Sequence, residues 1–480
     1  DNRMRSADIG VPQQVSSNDT SGHTLQVTWS TDWFDIKSIT GYRDLESEQW
    51  DNSGGAHRVP APKPNQVFSR YSLSQMEQDQ FSQEFQVIGD TNTMEYVFGG
   101  YYFVENAMEE AATPSTNRWN SDVTGYTIND PSTWAYENWR IDRGSRAEST
   151  SMGIFGQTTY TNDNLPFVHF TVGGRYTQNE KVGQLYKVKG LDAEWDLDIE
   201  ESRFDPVAIV AWDATEDLVV RFAAARTMAR VSYSDLSQAE SYGPPVNINS
   251  PDSWTGRGNG TSVNTGLEPM LSDQFDLGIE WYYGDGSALG ATLFSKDISN
   301  LPISTVEIVE REHDCCNGPI EVEMNTKVGG GDAKSEGLEL FFQHSFDNGF
   351  GILTNYTYTD TSTSEVSTDG QKTEAEIPGT AKHQYNVSVY FENDDFSVRA
   401  SYNWKDDRAN GIHQGYNLYT KDYGQLDVNA SYNLTEDLSF TASVVNLTEE
   451  IEEGYWKQSN RFTYNQYSGR RFYLGANYNF

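Results

Sequence analysis

Apolar and polar residues alternate at a period of two along most of this chain. Phe275, Leu277, Ile279, Trp281 and Tyr283 interleave with Gln274, Asp276, Gly278, Glu280 and Tyr282. Phe396, Val398, Ala400, Tyr402 and Trp404 interleave with Ser397, Arg399, Ser401, Asn403 and Lys405. Near the end, Phe472, Leu474, Ala476, Tyr478 and Phe480 share one parity, and Tyr473, Gly475, Asn477 and Asn479 the other. Successive side chains point to opposite faces of a strand, so each segment predicts a strand with one apolar and one polar face. Glu280, Arg399 and Lys405 are tolerable only if their face meets water. One such strand also suits a soluble sandwich. Recurrence along the whole chain points instead to a barrel wall between lipid and a wet lumen.

Connections between these segments alternate between short and long. Short polar turns are expected at 31–33, 90–93, 161–166, 214–217, 284–286, 347–349, 393–395 and 435–437. Long connections rich in Gly, Asn, Asp, Ser and Pro are expected at 51–76, 110–144, 189–199, 231–270, 307–320, 362–381, 408–422 and 449–466. Such residues favour turns and loops. The pattern predicts an all-β fold: a transmembrane antiparallel β-barrel over residues 1–480, with short periplasmic turns, long extracellular loops and about seventeen strands. A propeller or β-helix also supplies many strands but does not predict this alternation of connections, and no internal repeat is present.

Composition sharpens this picture. At 480 residues the chain exceeds one ordinary soluble core. No run of about 18 apolar residues exists, so no transmembrane helix is expected. Mean hydropathy is −0.67, which a barrel with polar loops and a polar inner face accommodates. Aromatics make up 13% of residues, in keeping with rings gathered at membrane interfaces. A net charge of −37 argues against nucleic acid as a partner, because phosphate binding needs clustered Lys and Arg. The acidity suits a surface for divalent cations or neutral polyols, or simply solvated loops.

Several segments resemble TonB-dependent outer-membrane receptors, in particular the branch common in Caulobacter- and Xanthomonas-like bacteria. They include LVVRFAAARTMAR from Leu218, LSDQFDLGIEWYYGDGSALGATLFSKDISN from Leu271 and SEGLELFF from Ser335. Others are IPGTAKHQYNVSVYFENDDFSVRASYNWKDD from Ile377, YGQLDVNASYNLTEDLSFTASVVNLTEE from Tyr423 and GRRFYLGANYNF from Gly469. One departure is Ala229-Arg230, where relatives commonly place Arg-Pro. The resemblance implies a barrel of about 22 strands, of which this chain is the C-terminal portion. The first strands, the N-terminal plug and its energy-coupling box are expected outside these residues. It further implies the outer membrane of a Gram-negative bacterium, contact with its lipid, and uptake energised by the TonB–ExbB–ExbD complex through that N-terminal part. A passive porin-like channel is the alternative of a different class.

No catalytic constellation emerges. The seven His are scattered, and neither an HExxH pair nor a GxSxG nucleophile turn occurs, so no enzyme activity and no cofactor are expected. The connection at 110–144 holds Trp119, Tyr126, Trp134, Tyr136 and Trp139 among Asn, Asp and Arg. Trp254, Tyr416, Tyr419, Tyr455, Trp456, Tyr464 and Tyr467 fall in other long connections. Their rings are apolar platforms with polar tips, suited to stacking on sugars or planar ligands. Equally, they can pack the loops together. Trp119, Trp134, Tyr136, Trp139, Trp254, Tyr416 and Trp456 are the candidate ligand contacts.

Asp192, Glu194, Asp196, Asp198 and Glu200 fall at spacing two, on one strand face, where carboxylate oxygens could hold a structural Ca²⁺. A solvated strand extension explains them more simply, since no EF-hand spacing is present. The adjacent Cys315 and Cys316 could close a vicinal disulfide that stiffens a loop, or less simply bind a soft metal, for which only His313 and Asp314 stand nearby in sequence. The long connections are aromatic and acidic with few Lys or Arg, which disfavours an anionic ferric chelate. An oligosaccharide is the expected cargo and a ferric siderophore the alternative.

Overall fold

The computed structural model describes residues 16–52, 71–112, 117–119, 126–128, 143–162, 164–188, 191–229, 241–243, 257–262, 264, 267–313, 318–366, 372–413 and 416–479. Every regular element among them is a strand. Seventeen form one continuous wall. They are β1 (Ser17–Ser30), β2 (Phe34–Asn52), β3 (Tyr71–Asp90), β4 (Met94–Ala112), β5 (Arg143–Asn162) and β6 (Leu165–Val188). Next come β7 (Leu191–Thr215), β8 (Leu218–Ala229), β9 (Met270–Gly284), β10 (Ser287–His313), β11 (Gly318–Ser345) and β12 (Phe350–Val366). The wall ends with β13 (His383–Glu392), β14 (Phe396–Lys405), β15 (Tyr423–Asn433), β16 (Leu438–Val445) and β17 (Arg471–Tyr478). Each pairs antiparallel with the next in sequence.

The register shows what each face does. Phe222, Leu277, Leu293, Leu338 and Tyr358 lie side by side across β8–β12. One position away, Arg221, Gly278, Thr292, Glu339, Thr357, Gln384 and Lys405 make a polar row across β8–β14. Burial is inverted relative to a water-soluble protein. Leu277 is 49% exposed and Leu293 55%, whereas hydroxyls such as Ser388 at 5% and Thr177 at 4% are buried. Large apolar patches left bare in water are rare, and this one runs through the wall from β1 (Leu25, Val27, Trp29) to β17 (Phe472, Leu474). Lipid is the solvent that makes it stable. On the opposite face polar side chains satisfy one another across strands. Ser388 and Ser401 hydroxyls meet at 2.7 Å, Ser397 and Ser431 at 2.8 Å, and Asn386 Nδ2 donates to Asn403 Oδ1 at 2.6 Å.

The short turns fall at all eight positions marked by the sequence, and a shared device closes many of them. Thr31 Oγ1 accepts from the Phe34 amide at 3.1 Å, Thr91 Oγ1 from Met94 at 3.0 Å, Asn393 Oδ1 from Phe396 at 2.8 Å and Thr435 Oγ1 from Leu438 at 3.0 Å. A Thr or Asn oxygen thus takes an amide that the ladder leaves open at its tip. Glycines opposite rings let the wall pack closely. A Cβ on Gly156 would stand 2.5 Å from the Phe98 ring on the neighbouring strand, and one on Gly290 would strike Phe341.

Four of the long connections differ from expectation: those at 408–422 and 449–466 are mostly strand in a separate sheet, and two others lengthen the wall. The segments at 189–199 and 307–320 are mostly strand, because the hairpins β6–β7 and β10–β11 stay paired to Val188↔Leu191 and His313↔Gly318. Their polar composition reads as loop. Beyond the lipid, however, the parity that faced hydrocarbon can turn polar: Asp196, Asp198 and Glu200 continue the face of Phe204 and are exposed, while Leu197 on the other face is covered by Leu267. β1 and β17 each pair on one side among the described residues. Both run from the long-connection end towards the turn end, so pairing them directly would make a parallel contact.

Leu277 lies midway along the apolar row of β9. Leu277→Arg is expected to destabilise the protein folded into a bilayer by about 2–4 kcal/mol, the cost of a cation near the membrane midplane. Thr292→Lys, on the polar face, is expected to cost well under half of that. Reversible denaturant titrations in lipid vesicles check both. Equal losses would contradict the assignment of faces.

Candidate functional site

At the long-connection end, two connections fold together into a second sheet. Its strands, Arg408–His413, Tyr416–Thr420, Glu452–Trp456 and Gln458–Gln466, are antiparallel and joined in that order. One face carries the Tyr419 and Tyr455 rings, stacked with centroids 4.9 Å apart and 11° between planes. The Tyr455 hydroxyl donates to Asp407 Oδ2 at 2.8 Å. The other face holds a polar knot around the fully buried Thr420. Its hydroxyl meets the Tyr464 hydroxyl at 2.9 Å and accepts from Asn410 Nδ2, while Tyr464 also donates to Glu452 Oε1 at 3.0 Å. The Arg408 guanidinium stands 3.8 Å from Glu452. Gly454 leaves room for the Tyr464 ring directly over its backbone.

A third connection straps across the β10–β11 hairpin. Gly258–Thr261 pairs parallel with residues 322–325 of β11 and antiparallel with Ser241–Gly243. Arg257 reaches Glu321 at 2.9 Å and Glu323 at 3.5 Å. Val322 and Met324 are fully buried beside the strap, and Leu267 packs on Leu197 of β7. The added strand covers an edge that would otherwise stand open in water. Elsewhere a groove of about 680 Å³ crosses β2–β7 between rows that include Asp44, Glu46, Glu77, Asp79, Arg146 and Glu148.

Of the candidate ligand contacts, Trp456 is placed in full. It sits in the four-stranded sheet opposite Leu418, with the Arg461 guanidinium 5.4 Å from its ring centroid. Trp119 and Tyr416 are placed by backbone alone, in short strands opposite Tyr126 and His413. Trp134, Tyr136, Trp139 and Trp254 lie outside the described residues, as do Cys315 and Cys316. Tyr419, Tyr455 and Tyr464 pack the connections against each other. Asp192, Glu194, Asp196 and Asp198 are exposed on β7. Asp192 pairs with Lys187 at 3.3 Å, and Asp196 accepts from Gln184 at 3.0 Å. Among the described residues no three His, Cys, Asp or Glu side chains converge as a metal cage. An inner-face cluster went unread in the sequence: Arg175 spans the Tyr101 ring at 5.3 Å and the Phe155 ring at 5.7 Å. Its signal was an Arg on the polar parity of β6 beside aromatics on the same parity of β4 and β5.

Residues 2–447 match the family model described as TonB dependent receptor-like, beta-barrel. The chain belongs to that family. The fold is also similar to solved TonB-dependent receptors. One is the siderophore receptor PiuA from Acinetobacter baumannii, with a TM-score of 0.66 at 15% identity, covering 96% of this chain and 64% of that one. Another is the ferric yersiniabactin uptake receptor FyuA from Yersinia pestis, with a TM-score of 0.65 at 15% identity, covering 99% and 63%. The copper transporter OprC gives 0.62 at 13% identity, covering 96% and 65%. The chain therefore spans slightly less than two thirds of the length of these structures. At such identities the likeness concerns the fold. The family is one of receptors and transporters rather than enzymes.

Burial, together with the bond to the Asp407 carboxylate, raises the Tyr455 phenol well above its ordinary value. Burial and Glu452 likewise raise Tyr464. A folded-state pKa above the unfolded value means this stabilisation is complete below about pH 10 and fades as pH rises beyond it. Hydrogen exchange in 408–420 is expected to accelerate above that pH, and tyrosinate absorbance to show these phenols titrating above the ordinary tyrosine range. Tyr455→Phe, which removes the titrating hydroxyl, should shrink the alkaline loss. Titration of every tyrosine together near pH 10 would contradict this.

Proposed function

We propose that the chain forms the lipid-embedded wall of an outer-membrane receptor that takes up a nutrient actively, in a Gram-negative bacterium. The observation that carries this reading is the wall itself: an apolar row on one face and a polar row on the other, in a chain of the TonB-dependent receptor family. In this reading the TonB–ExbB–ExbD complex supplies energy through a plug outside these residues. Because β1 and β17 run in the same direction, an odd number of further strands closes the wall with antiparallel pairs throughout. An open edge is not viable in lipid.

For the cargo, an oligosaccharide is the reading we favour. The connections combine aromatic platforms with hydrogen-bonding and acidic groups, and Trp134, Tyr136, Trp139, Trp254 and Trp456 are the stacking contacts we assign. Trp119 and Tyr416 stand as further contacts. A ferric siderophore is the second reading, and it draws on the likeness to PiuA and FyuA. The neighbours differ among themselves, since one is a copper transporter.

Binding and uptake by the full receptor separate these readings. Neutral oligosaccharides are expected to bind, and ferric siderophores not. Replacing Trp134 and Trp139 by Ala should weaken binding by roughly 5- to 150-fold per platform, or about 1–3 kcal/mol. Uptake should stop when the proton-motive force is collapsed. Siderophore-only binding would replace the cargo assignment, and uptake indifferent to the proton-motive force would replace energised transport with passive passage.

A further inference from the structure

On the inner face of β6 and β7, three buried polar atoms have no hydrogen-bond partner: Asn179 Oδ1, Arg203 Nε and Asp205 Oδ1. Their side chains share the wet face, since they alternate with the outward Tyr176 and Phe204 and pair as Arg175↔Asp205, Thr177↔Arg203 and Asn179↔Glu201. Leaving such groups unmet is costly, so each calls for a partner from solvent or from a ligand.

The chemistry of the gap narrows what that partner is. Arg203 Nε and Asp205 Oδ1 face each other at 3.9 Å, beyond hydrogen-bond range. A single oxygen about 2.8 Å from each bridges them, accepting from the Nε–H and donating to the carboxylate. Carboxylate, phosphate and catecholate oxygens only accept, and ammonium or amide nitrogens only donate. Water and an alcohol hydroxyl do both, and of these only the hydroxyl belongs to a ligand. Asn179 is 6% exposed, and its Nδ2 donates to Glu201 Oε1 at 3.1 Å. That bond fixes the amide, because turning it over would set its oxygen against a carboxylate. Asn179 Oδ1 therefore awaits a second donor, about 7 Å further along the wall, two strand residues from the Thr177–Arg203 pair. Neighbouring hydroxyls of a saccharide span such a distance. Arg175 is not free to compete: its guanidinium lies over two rings, and its Nε donates to Thr177 Oγ1 at 3.0 Å.

We propose that Asn179, Arg203 and Asp205 form a seat for hydroxyl groups of a neutral saccharide on the lumen wall, distinct from the aromatic platforms of the connections. This rests on the saccharide reading of the cargo. The seat selects for hydroxyls through one bridging oxygen and one further donor, and the carboxylates of Asp205 and Glu201 beside it disfavour an anionic chelate.

The test uses the full receptor and a panel of neutral hexasaccharides of α-gluco, β-gluco and β-xylo type. Arg203→Lys keeps the positive charge but removes the Nε–H, and should weaken the tightest binder about tenfold. Asn179→Ala should weaken it by a similar factor. One monodeoxy analogue of that saccharide should bind about tenfold more weakly than its parent to the wild type, yet equally to Arg203→Lys. Heat-shifted electrophoretic mobility confirms that each variant retains the folded barrel. Unchanged affinity in both folded variants would overturn the seat and leave the cargo reading intact, with the gap filled by water. Losses in the variants without hydroxyl-specific coupling would overturn it as well, assigning these side chains a purely structural role. Failure of every hexasaccharide to bind the wild type would overturn the cargo reading and the seat together.

Discussion

The constraint on which everything else depends is that backbone amides and carbonyls inside a lipid bilayer have no water to bond to. A strand meets that demand only through its neighbours, so a wall of strands must be laterally continuous. Here every strand from β1 to β17 is bonded to the next in sequence, and the side chains then divide by parity. One row faces hydrocarbon and the next faces water. This explains the most unusual property of the chain, namely that Leu277 and Leu293 are about half exposed while Ser388 and Thr177 are buried. A strongly acidic composition is tolerable for the same reason, because a wet face and segments beyond the lipid can carry charge, as Glu280, Glu339 and Lys405 do on the polar face.

The fold was legible because period-two alternation is a local signal. Phe275 to Tyr283 announces its outward face without help from any other segment, and the turn residues Thr31, Thr91, Asn393 and Thr435 announce where the chain reverses. The extended hairpins were legible only in part. From Asp192 to Glu200 the carboxylates at spacing two already suggest a strand extension but not its partner. From Glu307 to His313 adjacent apolar residues blur the alternation, so only the pairing partner reveals the strand. That partner is remote information for β7 and β10, whose registers are set by the wall beneath them.

The site was less legible still. Loop aromatics such as Tyr419 and Tyr455 look the same in sequence whether they meet a ligand or each other. The structure stacks these two against one another and places Arg461 on Trp456. The lumen cluster around Arg175, Asn179, Arg203 and Asp205 depends on neighbours in four strands, and no spacing along the chain discloses it. A wall made by local rules thus carries chemistry that only the lateral register assembles.

The central claim is the division of the wall into a lipid row and a water row. Spin labels placed singly at positions 275 to 280 of β9, in a background with Cys315 and Cys316 replaced by Ser, measure it most directly. In bilayers, collision rates with dissolved oxygen should peak at 275, 277 and 279. Those with a water-soluble nickel reagent should peak at 276, 278 and 280. Access to the water-soluble reagent at all six positions would contradict the account.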